Sequence, residues 1–486
     1  MAVYLPRRSA FGLGVAAAVL AAVFAGGQGA AAQDAAAPDP VTFNRDIAPI
    51  LQRACQDCHR PDSIAPMSLL TYEEVRPWAR SIKAKTGLGP RPGVMPPWYV
   101  DKTIGIQEYK NDPSLSQAEV DLIAAWVDAG APRGNPADLP PPVEFNDGWT
   151  IGTPDLVLSS PVIEMPASGS DWWGTVPGEI PTGLTEDRYV SAIQMKEVTL
   201  SMEGDKDLTS VGGRFIIHHL SFYALPEGVD SLADRPADAV GETHEVGRNE
   251  DVFDPGVGRL MKANSRLVFG SAHLHPNGRH TQARLDIGFK FHPRGWQPSR
   301  TIRQRGLFGN SMNLDIRPNE ADQKFEAFSV LPEHARIVSY EPHMHAAGVR
   351  MCLDAIYGSG VTFETLSCVG YDHSWVRVYN FADDVQPLLP KGTIMRLTGY
   401  FDNTSANPNV TEPRNWSGMG HRSIDNMMNE LGEVQLLTDE EFQQEMVDRV
   451  RKLGLQPGEA VLGCPLCGVV ALRERQAATT NQQEQE

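Results

Sequence analysis

The chain has 486 residues, a formal net charge of -18 and an ordinary apolar fraction of 41%. Such an acidic balance argues against nucleic acid or anionic lipid as a partner. The length suffices for two to four domains with cores of normal size.

The N-terminus carries Arg7 and Arg8, then the apolar run "AFGLGVAAAVLAAVFAG", then small residues up to Ala32. This is the pattern of an export signal over residues 1–32, which implies a periplasmic or secreted protein. No later segment reaches eighteen apolar residues, so no membrane span is expected in the mature chain.

Next comes "RACQDCHRP", which holds Cys55, Cys58 and His59 in a C-x-x-C-H motif. Two thiols at this spacing form thioethers with the vinyl groups of a c-type haem, and the histidine becomes an axial iron ligand. "NRDIAPILQRAC" places Ile47, Ile50, Leu51 and Ala54 at helical spacing and delivers Cys55 at the helix end. "LSQAEVDLIAAWVDAGAP" predicts a second helix, capped by Ser116 and Glu119 and stopped by Gly130 and Pro132. These features predict a small all-α cytochrome c domain over residues 40–135. Met95, beside Pro96 and Pro97, is the favoured sixth ligand, with Met67 the alternative. The proline-rich stretch 136–147 reads as a linker.

Beyond it, short β-type runs such as "RFIIHHLSFYAL" and "TIMRLTGYFDN" are punctuated by Gly, Pro, Asn and Asp. They predict two all-β sandwich domains, 148–298 and 299–440, followed by a helix and a disordered tail over 441–486. His343 and His345, like His273 and His275, are two apart and share one face of a strand. His218 and His219 are adjacent, so both reach one ion only if a bulge or strand end turns one ring. Met427 and Met428 add thioethers. Imidazole with thioether points to copper rather than calcium, magnesium or zinc. His244, His280, His292, His334 and His421 stand alone and read as surface or structural residues.

Cys352, Cys368, Cys464 and Cys467 remain, and three pairings are open. Cys352 with Cys368 and Cys464 with Cys467 is the favoured set. Cys464-x-x-Cys467 also fits a redox or metal pair.

The stretch 145–440 resembles the copper type II, ascorbate-dependent monooxygenases, which include peptidylglycine α-hydroxylating monooxygenase and dopamine β-monooxygenase. "APMSLLTYEEVRPWA" and "MPPW" resemble bacterial members with a cytochrome-c-like module in front. The resemblance implies two jelly-roll domains that each hold a copper across a solvent-filled cleft. His218, His219 and His273 match the electron-transferring site; His343, His345 and Met427 match the catalytic, dioxygen-binding site. Leu274, the additional His275, and His373 in "GYDHSWVRVY" depart from the family pattern.

The expected activity is hydroxylation of a C–H bond in a small organic or peptide substrate by dioxygen. Its cofactors would be two copper ions and one covalent haem, and a periplasmic donor would supply electrons through that haem. A copper-binding electron-transfer protein without hydroxylase activity is the alternative. A haem peroxidase or nitrite reductase fits less well, because the chain has one C-x-x-C-H and no Cys beside the histidines.

Overall fold

The computed structural model describes residues 39–483 apart from 62, 146–147, 204–213, 237–238, 249, 301, 306–307, 310–312, 359–361 and 423. The expected export signal lies outside the described residues. Residues from Val41 onward form one compact unit.

The helical segment corrects the sequence expectation. Helices do form at Ala48–Ala54, Tyr72–Val75, Ala79–Thr86 and Gln117–Asp128. They surround a small core with Phe43, Leu51, Ile123 and Trp126 at its centre. Yet no small all-α cytochrome domain stands apart. Of the described residues 34% are in strands and 18% in helices, and these four helices are short. Between the third and fourth helices the chain leaves the helical layer, and Val100–Gly105 pairs antiparallel with the strand Thr362–Gly370. Trp98, Val100, Ile106 and Tyr109 are buried in the core of the second β-body. The apolar side chains of that excursion gain more by joining a large core than a four-helix cluster this small can offer.

The first β-body packs two antiparallel sheets. One runs Arg259–Met261, Arg188–Met202, Thr281–Phe291 and Leu156–Ser159. The other runs Trp172–Gly174, Arg266–Leu274, Ile217–Leu225 and Gly241–Glu245. Leu220, Phe222, Phe269, Leu285, Ile287 and Phe289 fill the space between them. Period-two alternation explains the split: Leu220 and Phe222 point inward, which leaves His219 on the outer face.

The second body is a five-stranded sheet in the order Val100–Gly105, Thr362–Gly370, Gly348–Tyr357, Ile394–Phe401, Gln323–Val330. A four-stranded sheet includes His334–Ile337 and Glu433–Leu437. A small sheet joins Phe308–Gly309, Met428–Glu430 and Pro342–Met344. The Cys352–Cys368 bond links directly opposed residues of neighbouring strands. The β-sandwich content therefore agrees with the expectation for the chain beyond the helical segment.

Helix Asp439–Leu453 starts at a Thr438–Glu441 capping box, worth about 1 kcal/mol, and ends on left-handed Gly454. The tail, expected to be disordered from Arg473, continues instead as helix Cys467–Gln483. Its first turns are pinned by the Cys464–Cys467 bond and by burial of Val470 and Ala471 against Phe442 and Met446.

Candidate metal centre

Register irregularities build the first histidine set. Along strands Arg266–Leu274 and Ile217–Leu225, Gly270 pairs with Ser221, His273 with His219, and Leu274 with Ile217. One extra residue is therefore accommodated between Gly270 and His273, and a second, His218, between Ile217 and His219. Ser271 takes the first distortion, with φ of 47°. A bulge that re-aims a side chain is what two adjacent histidines need in order to face one point. The ring centres of His218 and His273 are 4.8 Å apart, those of His219 and His273 5.5 Å, and those of His218 and His219 5.9 Å.

These rings are oriented from behind. His219 Nδ1 lies 2.6 Å from the Ser271 carbonyl oxygen, and His273 Nε2 lies 3.0 Å from Asp171 Oδ2. Trp173 stacks on His273 at 4.7 Å. Each of these bonds fixes one ring nitrogen, the usual arrangement around metal-binding imidazoles.

The second set comes from the small sheet. Pro342 pairs with Glu430, His343 with Asn429, and Met344 with Met428. One further step along that register puts His345 opposite Met427. Alternation places His343, His345, Asn429 and Met427 on one face. Met344 and Met428 point the other way and are fully buried in the core. The thioether facing the cleft is therefore that of Met427, with Asn429 Nδ2 3.8 Å from its sulfur. His343 and His345 ring centres are 5.4 Å apart. His345 Nδ1 is buried with no hydrogen-bond partner among the described residues.

The two sets do not stand on opposite walls of a wide cleft, as the resemblance implies. Glu245 is paired across the sheet with His219, and its Oε1 lies 3.3 Å from His343 Nδ1. His373 stands 4.6 Å from His218 and 5.5 Å from His345, ring centre to ring centre. His219, His343, His345 and Met427 border one cavity of about 1310 Å³. His275 is more remote, 6.2 Å from His218.

Electrostatics favours neutral imidazoles, the form that binds metal. Burial, then repulsion among the rings, lowers the pKa of His219 to about 4, of His373 to about 3 and of His345 to about 2. His218 is driven well down for the same reasons. His343 moves the other way: burial lowers it, but the Glu245 carboxylate outweighs burial. Burial alone would raise Glu245; His343, His219 and Arg248 reverse this and hold it at about 2.

Copper fits this donor set. The set is nearly all imidazole, with one soft sulfur and buried lone pairs that lack partners. Imidazoles sharing an ion at the usual metal–nitrogen distance of ~2.0 Å stand with ring centres roughly 5 Å apart, close to the observed spacings. Among the described residues no three His, Cys, Asp or Glu side chains already meet at one point, so the rings must turn to close on an ion.

The haem motif lies at the end of helix Ala48–Ala54. Cys55 and Cys58 are free thiols, and burial raises both, Cys55 to about 12. His59 Nδ1 lies 3.2 Å from the Met67 carbonyl oxygen, which leaves Nε2 for iron. Met67 packs against the helical core. Met95 is 39% exposed, with its N–H on the Lys85 carbonyl. The residues present suit a covalent haem: two unpaired thiols and an oriented imidazole.

No family model and no curated protein matches the chain. Among solved structures, a cryo-EM structure of T=1 Penaeus vannamei nodavirus is similar over 58% of this chain and 98% of that chain, at 9% identity and a TM-score of 0.16. A likeness that weak carries no argument about fold or function.

Sequence reading missed Glu245, Asp171 and Trp173, which lack any motif. His373 was visible only as a departure from the family pattern. Of the isolated histidines, His280 pairs with Glu164, His292 stacks on Trp296 and His334 stacks on Phe442. His244 is half-buried, and His421 borders the cavity. The cavity also presents Tyr223 and Arg235, which sequence alone did not single out.

Proposed function

We propose that this protein is an exported copper-dependent monooxygenase that hydroxylates a C–H bond of an organic substrate and draws electrons through a covalently bound haem. The observation that carries this reading is the placement of His219, His343, His345 and Met427 around one cavity large enough for a substrate. Copper held there supplies dioxygen activation and one-electron chemistry, and a c-type haem supplies a further electron carrier.

Each residue then has a task. His343, His345 and Met427 would hold the catalytic copper, where a thioether donor suits the reduced ion. His218, His219 and His273 hold the electron-storing copper. Glu245 stays a carboxylate and keeps the His343 proton on Nδ1, so that Nε2 is the ligand atom. Asp171 and Trp173 fix His273 and shield it from water. Tyr223 and Arg235 offer the substrate an aromatic face and a cation; Arg235 already lies over the Tyr223 ring at 4.5 Å. Cys55 and Cys58 would attach the haem, and His59 and Met95 would hold its iron.

The haem motif and the histidine cluster are physically connected. Arg377, four residues past His373, acts electrostatically on Cys58 and lies over the Trp98 ring at 5.5 Å. Arg214, just ahead of the His218 strand, bonds the Ser63 carbonyl beside the haem motif. These contacts support delivery of electrons from a periplasmic donor to the copper ligands.

The test is metal analysis and a pyridine haem assay on the exported protein, followed by oxygen uptake with candidate substrates. Two coppers and one haem per chain, with substrate-dependent uptake abolished in Met427→Leu and retained in Met428→Leu, is the expected result. Copper binding without uptake for any substrate would leave only an electron-transfer protein.

A further inference from the structure

His373 is placed by a loop that touches both β-bodies. Val376 donates its N–H to the Val246 carbonyl at 3.0 Å, and Arg377 Nη1 reaches the Gly247 carbonyl at 3.2 Å. The Trp375 ring covers Gly247, where a Cβ would lie 2.6 Å from it. Tyr371 OH donates to the Met344 carbonyl, between His343 and His345, at 2.5 Å. The loop is thus clamped to the first body beside the His219 sheet and to the second body beside His343 and His345.

The His373 ring occupies the gap this creates. His218 lies 4.6 Å from it and His345 5.5 Å, ring centre to ring centre. Both of its nitrogens are shut off from solvent, and neither has a hydrogen-bond partner among the described residues. Leaving even one buried polar atom unsatisfied costs about 1–3 kcal/mol, so a ring with two is a clear anomaly. A structural histidine normally satisfies at least one nitrogen, as His280 and His292 do here. Two idle nitrogens, in a ring that adjoins both histidine sets, match one chemical role.

We propose that His373 bridges the two metal ions, one ring nitrogen binding the ion of the His218 set and the other the ion of the His345 set. This rests on the copper-binding reading above. The first bond uses the lone pair of the neutral ring. The second forms as the remaining ring N–H gives its proton to water carried in with the metal ion, so the bridge is an imidazolate, and no electron is exchanged. The two coppers then form one coupled pair.

The experiment is low-temperature electron paramagnetic resonance on the full-length chain loaded with Cu(II), with copper counted independently. For two bound coppers per chain, a bridged pair leaves a double-integrated signal several-fold below the copper content. His373→Phe raises that signal to the full copper content, with unchanged circular dichroism. His373→Asn, which keeps a polar group in the gap, does the same and serves if the Phe variant does not fold. A wild-type signal equal to its copper content overturns the bridge and leaves the copper-enzyme reading standing. A weak signal that persists in both variants also overturns it, since the coupling then has another source. A wild-type protein that takes up no copper overturns both readings together.

Discussion

His219 and His273 face each other across a single ladder position, and they do so only because Ser271 is bulged between Gly270 and His273. Ser271 sits at a positive φ of 47°, a conformation that costs a β-branched residue roughly 1–2 kcal/mol. Replacing Ser271 with Val should pull the strand back into register and turn His273 away from His219. Copper per chain should fall from two to one. Ser271→Gly, which accepts the same φ, should retain both. Equal copper content in the two variants would detach the bulge from metal binding.

Asp171 acts on the same ring from the other side. With the carboxylate gone, His273 Nε2 loses its partner and the ring loses a fixed tautomer. Partners of this kind typically contribute 10–100-fold to metal affinity. Competition with a chelator should show about that loss in Asp171→Ala for the copper of this set, with the copper held by His343 and His345 unaffected.

Stability of the metal-free protein should depend on pH in a defined direction. The folded pKa values of His219, His373 and His345 lie at about 4, 3 and 2, below the usual 6.5. Depressed values mean that the unfolded chain binds these protons more readily. The stabilisation is complete above pH ~6.5 and is lost as pH falls toward 4 and below. Glu245, held at about 2 rather than 4.5, adds to the loss at the acid end, while His343, shifted upward, partly opposes it. Thermal melts of chelated protein from pH 7.5 to 4 should show a falling midpoint; a flat profile would refute the buried neutral histidines.

Arg248 holds the two histidine-bearing bodies together. Its guanidinium is almost wholly buried, 2.7 Å from Asp251, 3.1 Å from Glu341 and 3.6 Å from Glu242. Removing one partner of a buried ion cluster leaves the others uncompensated and typically costs 3–5 kcal/mol, about that much in Arg248→Met. Because Glu341 directly precedes the Pro342–Met344 strand, copper affinity should drop as well. Urea unfolding and copper titration of the variant measure both effects.

Much of this molecule is legible one segment at a time. The capping box at Ser116 and Glu119, the alternation of the β-runs, the C-x-x-C-H motif and the His-x-His pair are all local patterns. A residue and its near neighbours suffice to read them. The sequence could not separate Met427 from Met428 except by analogy, because which of the two faces the cleft depends on pairing with residues more than eighty positions earlier.

The amino-acid order alone determined which side chains were available: the imidazoles, the thiols, the thioethers and the strands that carry them. Tertiary structure alone decided that Val100–Gly105 leaves the helical layer for a distant sheet, that two bulges turn His218 and His219 toward His273, and that His373 fills the gap between the sets. These outcomes rest on contacts between residues far apart in the chain. Their energies come from shared burial and register, which no short window of sequence contains.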